Sequence, residues 1–132
     1  MANILDHLRE RVLLADGGMG TALQSFDLSL EEDFLGKENC SEVLVQTRPD
    51  VVREIHTRFY DAGSDAVETN TFGATPITLG EFDIADQCRE INRKAAELAR
   101  EAQEKYTDGR PRFVIGSMGP GTKLPTLGHI DY

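Results

Sequence analysis

Three short stretches gather residues suited to holding a small polar ligand: Asp16-Gly-Gly-Met-Gly-Thr21, Glu68-Thr-Asn-Thr-Phe72 and Ser117-Met-Gly-Pro-Gly-Thr-Lys123. In the first, the glycines at 17, 18 and 20 let the backbone approach a ligand closely and offer amide N–H groups to an anion such as a carboxylate. Asp16 beside them can accept hydrogen bonds from an ammonium group. Amides for a carboxylate and a carboxylate for an amine together suit the head of an amino acid, which makes Asp16, Gly17 and Gly18 candidate binding residues. The competing reading is that the glycines only make a tight turn. In the second stretch Thr69, Asn70 and Thr71 bring hydrogen-bonding side chains to a strand end, and Phe72 could wall an apolar substrate tail. Ordinary loop capping by Thr and Asn explains the same residues equally well.

Other chemistries find less support. Gly17-Gly-Met-Gly-Thr-Ala22 does not satisfy GxGxxG, no GxxxxGK[ST] occurs, and in Gly119-Pro-Gly-Thr-Lys123 the Thr and Lys stand in the wrong order for a phosphate loop. His7, His56 and His129 share no ligand spacing, and His56, at the margin of an apolar helix stripe, reads as a partly buried, hydrogen-bonded residue. Cys40 and Cys88 stand outside any CxxC or Cys/His spacing and read as inert, small apolar residues. Glu31-Glu32-Asp33 and the charges at 97, 100, 101 and 104 read as solvated faces. No catalytic constellation and no metal site can be assembled from these residues.

The elements that must position the loops follow from periodicity. A short amphipathic helix is expected over Asn3–Glu10, then a buried parallel strand over Arg11–Ala15 running into Asp16. Residues 21–47 form an excursion too long to be an empty connection, expected to carry one or two short helices. Pro49 and Asp50 open a helix whose stripe is Val51, Val52, Ile55, Phe59 and Tyr60, ended by Gly63. A second strand and its C-terminal loop follow over Ser64–Phe72. A second long helix is expected from Ile84 to Tyr106, and a third strand over Arg112–Ser117. Strands alternating with helices predict a parallel α/β sheet, in which ligands gather at the C-terminal strand ends.

Composition bounds the partners. Lys and Arg number 14 against 23 Asp and Glu, a net charge of −9 that repels nucleic acid and anionic lipid. No uncharged apolar run approaches the roughly 20 residues of a membrane span, and the N-terminus lacks a signal-peptide pattern, so a cytoplasmic protein is expected.

Leu14-Ala-Asp-Gly-Gly-Met-Gly-Thr21, Ala62-Gly-Ser-Asp-Ala-Val-Glu-Thr-Asn-Thr-Phe72 and Gly116-Ser-Met-Gly-Pro120, in this order, resemble the N-terminal part of the homocysteine S-methyltransferase domain family. The Glu68–Phe72 and Gly-Pro segments favour its cobalamin-dependent methionine synthase branch. The resemblance implies a TIM (β/α)8 barrel, of which residues 1–132 would supply about three β/α units and no second domain. It implies that zinc, held by three cysteine thiolates, activates homocysteine to take a methyl group from methylcobalamin. Carried over by position, Asp16 and Gly17 would help hold the amino-acid head of homocysteine and Thr69 and Phe72 would line the pocket, with Gly18 and Asn70 as further candidate binding residues. The zinc cysteines belong to later strands of the family's barrel and are not matched by Cys40 or Cys88, so neither zinc nor cobalamin is expected on this chain alone, which should be inactive.

A whole barrel takes about 250 residues. Open sheet edges are therefore expected to pair with the remainder of a barrel or with a second copy of the chain. The alternative is a non-catalytic α/β binding or assembly module that uses the glycine loop for a small carboxylate ligand.

Overall fold

Residues 3–129, described by a computed structural model, run α1 (Ile4–Glu10), α2 (Met19–Leu23), α3 (Leu44–Thr47), α4 (Pro49–Asp61), β1 (Ala66–Glu68), α5 (Pro76–Gly80), α6 (Cys88–Glu104) and β2 (Phe113–Ile115). Single 3-10 turns lie at Ser41–Val43, Ala85–Gln87 and Pro125–Leu127.

The two long helices follow their sequence signals. Pro49 sits in the first turn of α4, where its missing N–H leaves no bond unmade, and Gly63 takes a φ of +108° that turns the chain out of the helix. The buried face of α4 is Val51, Val52, Ile55, His56 and Tyr60, and that of α6 is Ile91, Ala95, Leu98, Ala99 and Ala102. Alanines on α6 let the two helices pack closely, with the valines of α4 in one core cluster with Ile91, Ala95 and Leu98. A second cluster joins Tyr60, Ala99 and Ala102 to Val67 of β1, with Val114 of β2 packed against it. The helix starts four residues later than the expected Ile84. Asp83 has a left-handed φ of +60° and Ile84 is not helical, so a 3-10 turn precedes α6.

β1 and β2 pair in parallel with Val67 opposite Val114, and α5 and α6 form the crossover between them. The expected first strand needs correction. Residues 11–15 make only one parallel bridge, Ala15 to Ala66, so the described residues hold two regular strands rather than three. Nor is the segment buried, for Val12 is 81% and Leu14 61% exposed. The lone bridge traces to a side chain. The buried Asp65 carboxylate takes the Leu14 amide at 2.9 Å, while the Leu14 carbonyl accepts from both the Asp65 and Ala66 amides, so ladder bonds give way to a carboxylate clasp.

Asp65 also accepts both Arg11 guanidinium nitrogens, at 3.0 and 2.9 Å, and one from Arg110 at 2.7 Å. Arg11 above all, then Arg110 and the Leu14 amide, hold its carboxyl well below the usual carboxylate range. One side chain thus ties the chain after α1, the start of β1 and the approach to β2.

The excursion carries α2, the 3-10 turn at Ser41–Val43 and α3, in line with the expectation of short helices. α5 was not anticipated, although Thr75 caps it through the Thr78 amide and Pro76 occupies its first turn. No described helix is long and apolar enough to cross a membrane.

Candidate functional site

The loops that leave residue 15, β1 and β2 converge on a cleft of about 720 Å³. All six residues singled out from the sequence, Asp16, Gly17, Gly18, Thr69, Asn70 and Phe72, line it. Ser117 and Thr122 of the third stretch line it as well.

The glycine loop behaves as a bare backbone wall rather than a special turn. None of Gly17, Gly18 and Gly20 adopts a positive φ, and a Cβ on Gly18 or Gly20 would meet no backbone. A Cβ on Gly17 would press to 3.3 Å on the Phe59 ring of α4. Among the described residues, the amides of Gly17, Gly18, Met19 and Gly20 donate to no protein acceptor. Four neighbouring donors are thus left to solvent or a ligand. Asp16 beside them accepts the Glu68 amide at 3.1 Å through Oδ2. Burial pushes the Asp16 carboxyl up from its ordinary value, the Glu68 amide opposes this, and the Glu68 charge adds to it.

The loop after β1 is clamped from two sides. On one, the Ser117 amide donates to Thr69 Oγ1 at 3.1 Å and Thr71 Oγ1 donates to the Ser117 carbonyl at 2.6 Å. The two hydroxyls are 2.7 Å apart, and because the Thr71 proton is committed to the carbonyl, Thr69 must be the donor between them. The result is a closed ring of three hydrogen bonds joining the loop after β1 to the loop after β2. On the other side, Asn70 Nδ2 donates to the Ser41 carbonyl at 2.8 Å, and the Gly73 amide donates to Glu42 Oε1 at 2.7 Å. Asn70 is therefore a buried brace, and only Phe72, 62% exposed, projects freely.

Among the wall residues that escaped the sequence reading are two carboxylates. Glu42 lies in the aperiodic excursion, where no spacing marks it. Glu81, just after α5, accepts Thr122 Oγ1 at 2.6 Å and pairs with Lys123 at 2.9 Å, which holds its carboxyl below the ordinary range and ties down the far wall. The Gly119 amide donates to the Phe72 carbonyl at 2.9 Å, and a Cβ there would stand 2.6 Å from that oxygen and 2.8 Å from the Phe72 ring. Gly119→Ala is accordingly expected to displace Phe72 and cost about 2 kcal/mol, read by urea unfolding; an unchanged midpoint would show that the loop yields freely.

The three histidines and two cysteines stand apart from the cleft. His56, expected to be hydrogen-bonded, is fully buried with neither ring nitrogen bonded among the described residues, because it lies on the apolar face of α4 rather than at its margin. Burial lowers its pKa to about 4. Cys40 is fully buried in the core, and Cys88 gives its thiol hydrogen to the Ala74 carbonyl at 3.2 Å.

Comparison with known proteins places this geometry in context. A family model described as homocysteine S-methyltransferase matches residues 13–132. Methionine synthases from Mycobacterium tuberculosis and Mycobacterium leprae are 53% and 51% identical over 131 residues, which is 98% of this chain and 11% of each of those proteins. The chain thus spans about a ninth of these relatives. The crystal structure of the homocysteine methyltransferase MmuM from Escherichia coli, metallated form, superposes with a TM-score of 0.73 at 28% identity, covering 89% of this chain and 42% of that one.

Proposed function

The chain belongs to the homocysteine S-methyltransferase family, and from that premise we propose that it forms the homocysteine head-group wall of a methionine synthase-type methyltransferase. The observation that carries the reading is the run of undonated amides at Gly17–Gly20 beside the Asp16 carboxylate, inside the cleft. The amides hold the substrate carboxylate and Asp16 takes its ammonium. Phe72 walls the thiol-bearing side chain, and the clamps on Thr69 and Asn70 keep that wall in place. The reaction is methyl transfer to the homocysteine sulfur, and the contribution of these residues is to bind and orient the acceptor.

The zinc centre implied by the family does not fit the residues of this chain. Cys40 is sealed in the core, the Cys88 thiol is bonded to a carbonyl, and among the described residues no three His, Cys, Asp or Glu side chains cluster as a metal site. No step through zinc or methylcobalamin is therefore assigned to these residues, and the chain alone is expected to be inactive. The proposed architecture is an incomplete (β/α)8 barrel over residues 1–132, whose exposed Val12 and Leu14 are covered by further barrel chain. The proposed setting is the cytoplasm, in keeping with two free thiols.

Titration of the isotopically labelled chain with L-homocysteine tests the reading directly. The amide resonances of Gly17, Gly18, Met19 and Gly20 are expected to shift, and Asp16→Ala to weaken the affinity about tenfold, as for loss of one charge-assisted hydrogen bond. Saturating ligand with no movement in these four amides rules out the assignment.

A further inference from the structure

A second carboxylate faces the cleft, from the excursion rather than from a strand end. Glu42 is only 7% exposed, yet among the described residues it forms no ion pair, in contrast to Glu81 with its Lys123. Its Oε1 is occupied by the Gly73 amide at 2.7 Å, and Oε2 accepts from no described group. Among the described residues no Lys, Arg or His lines the cleft, so none of them neutralises this charge from the wall. Oε2 is not among the fully buried unpaired side-chain atoms, so it is reached from the cleft, and carboxylates so largely withdrawn from water are ordinarily paired. A cation brought by the ligand would supply the missing partner.

We infer that Glu42 is a specificity-determining residue of this site: Oε1 braces the Gly73 loop while Oε2 meets the ammonium of the bound amino acid, alongside Asp16. The inference rests on the head-group reading above and deepens it. Two carboxylates and no fixed cation make the cleft select an α-amino acid over the corresponding thiol acid without its amine. The two oxygens have separable tasks. Glu42→Gln keeps a carbonyl oxygen for the Gly73 amide but removes the charge and puts an NH2 donor where Oε2 accepted, whereas Glu42→Ala removes both oxygens.

The test compares L-homocysteine with its des-amino analogue, 4-sulfanylbutanoate, by the same resonance titration on the unmodified chain, Glu42→Gln and Glu42→Ala. Glu42→Gln is expected to weaken L-homocysteine about tenfold, to leave 4-sulfanylbutanoate unchanged and to keep the Gly73 amide resonance in place. Glu42→Ala is expected to weaken both ligands and to move the Gly73 resonance. Equal effects of Glu42→Gln on the two ligands, or none on either, overturn the assignment while leaving the head-group reading intact. Absence of binding by the unmodified chain overturns both.

Discussion

Asp65→Asn is expected to destabilise the fold by about 3 kcal/mol, the low end of the cost of breaking a buried ion pair. The low end applies because Arg11 and Arg110 are 45% and 40% exposed and can regain water, whereas the carboxylate is 1% exposed. The substitution leaves an amide that can accept from only one oxygen, facing two guanidinium groups and the Leu14 amide. The segment 11–15 should detach first, since its single bridge to β1 depends on this clasp. Urea unfolding gives the loss, and hydrogen exchange at the Leu14 and Ala66 amides gives its location. A midpoint unchanged within error would mean that the clasp is ornamental.

Acidification is expected to unfold the protein in two windows. His56 is neutral and fully buried, with a pKa lowered by burial to about 4, while an unfolded histidine titrates near 6.5. Above about pH 6.5 neither state binds this proton and its effect on stability is nil. Between about 6.5 and 4 the unfolded chain takes up a proton that the folded chain refuses, so stability falls, by about 3 kcal/mol in all. Asp65 has the opposite sign of origin. Its folded carboxyl lies below its unfolded value near 3.9, so its contribution is complete above that value and is lost as the pH falls further. Asp108, held near pKa 2 by Arg112, shares this lower window. His56→Leu should therefore abolish the loss between pH 6.5 and 4 and leave the lower one. Persistence of the upper window in that variant would assign it to another group.

Much of this molecule is legible from local rules, and its failures are physical. α4 reads directly because its proline, its apolar stripe and its terminal glycine agree with one another. The strand at 11–15 misleads because Val12, Leu13 and Leu14 look like core, yet a carboxylate 51 positions beyond Leu14 replaces its ladder. No local pattern can announce such a pairing. α5 was readable, since Thr75 and Pro76 are ordinary helix-opening residues, but it is too short to show a period. In the cleft the residues at strand ends were readable from the glycine and threonine runs. Glu42 was not, because it owes its position to Gly73 and not to its own neighbours in sequence. His56 shows the opposite error: a polar residue on an apolar stripe was given a partner that its helix face does not supply.

The closed ring through Ser117, Thr69 and Thr71 has a consequence for how the cleft discriminates. Hydroxyl rotors are usually free to swivel, offering a proton to one guest and a lone pair to another. Here both rotors are locked by a circuit that runs one way only, so Thr69 has no proton left to give. This part of the wall can accept but never donate. A carboxylate arriving at Thr69 meets lone pairs and is turned away, while an N–H group finds an acceptor already aimed. The entropy of fixing those torsions is spent when the chain folds, so binding there freezes neither of them.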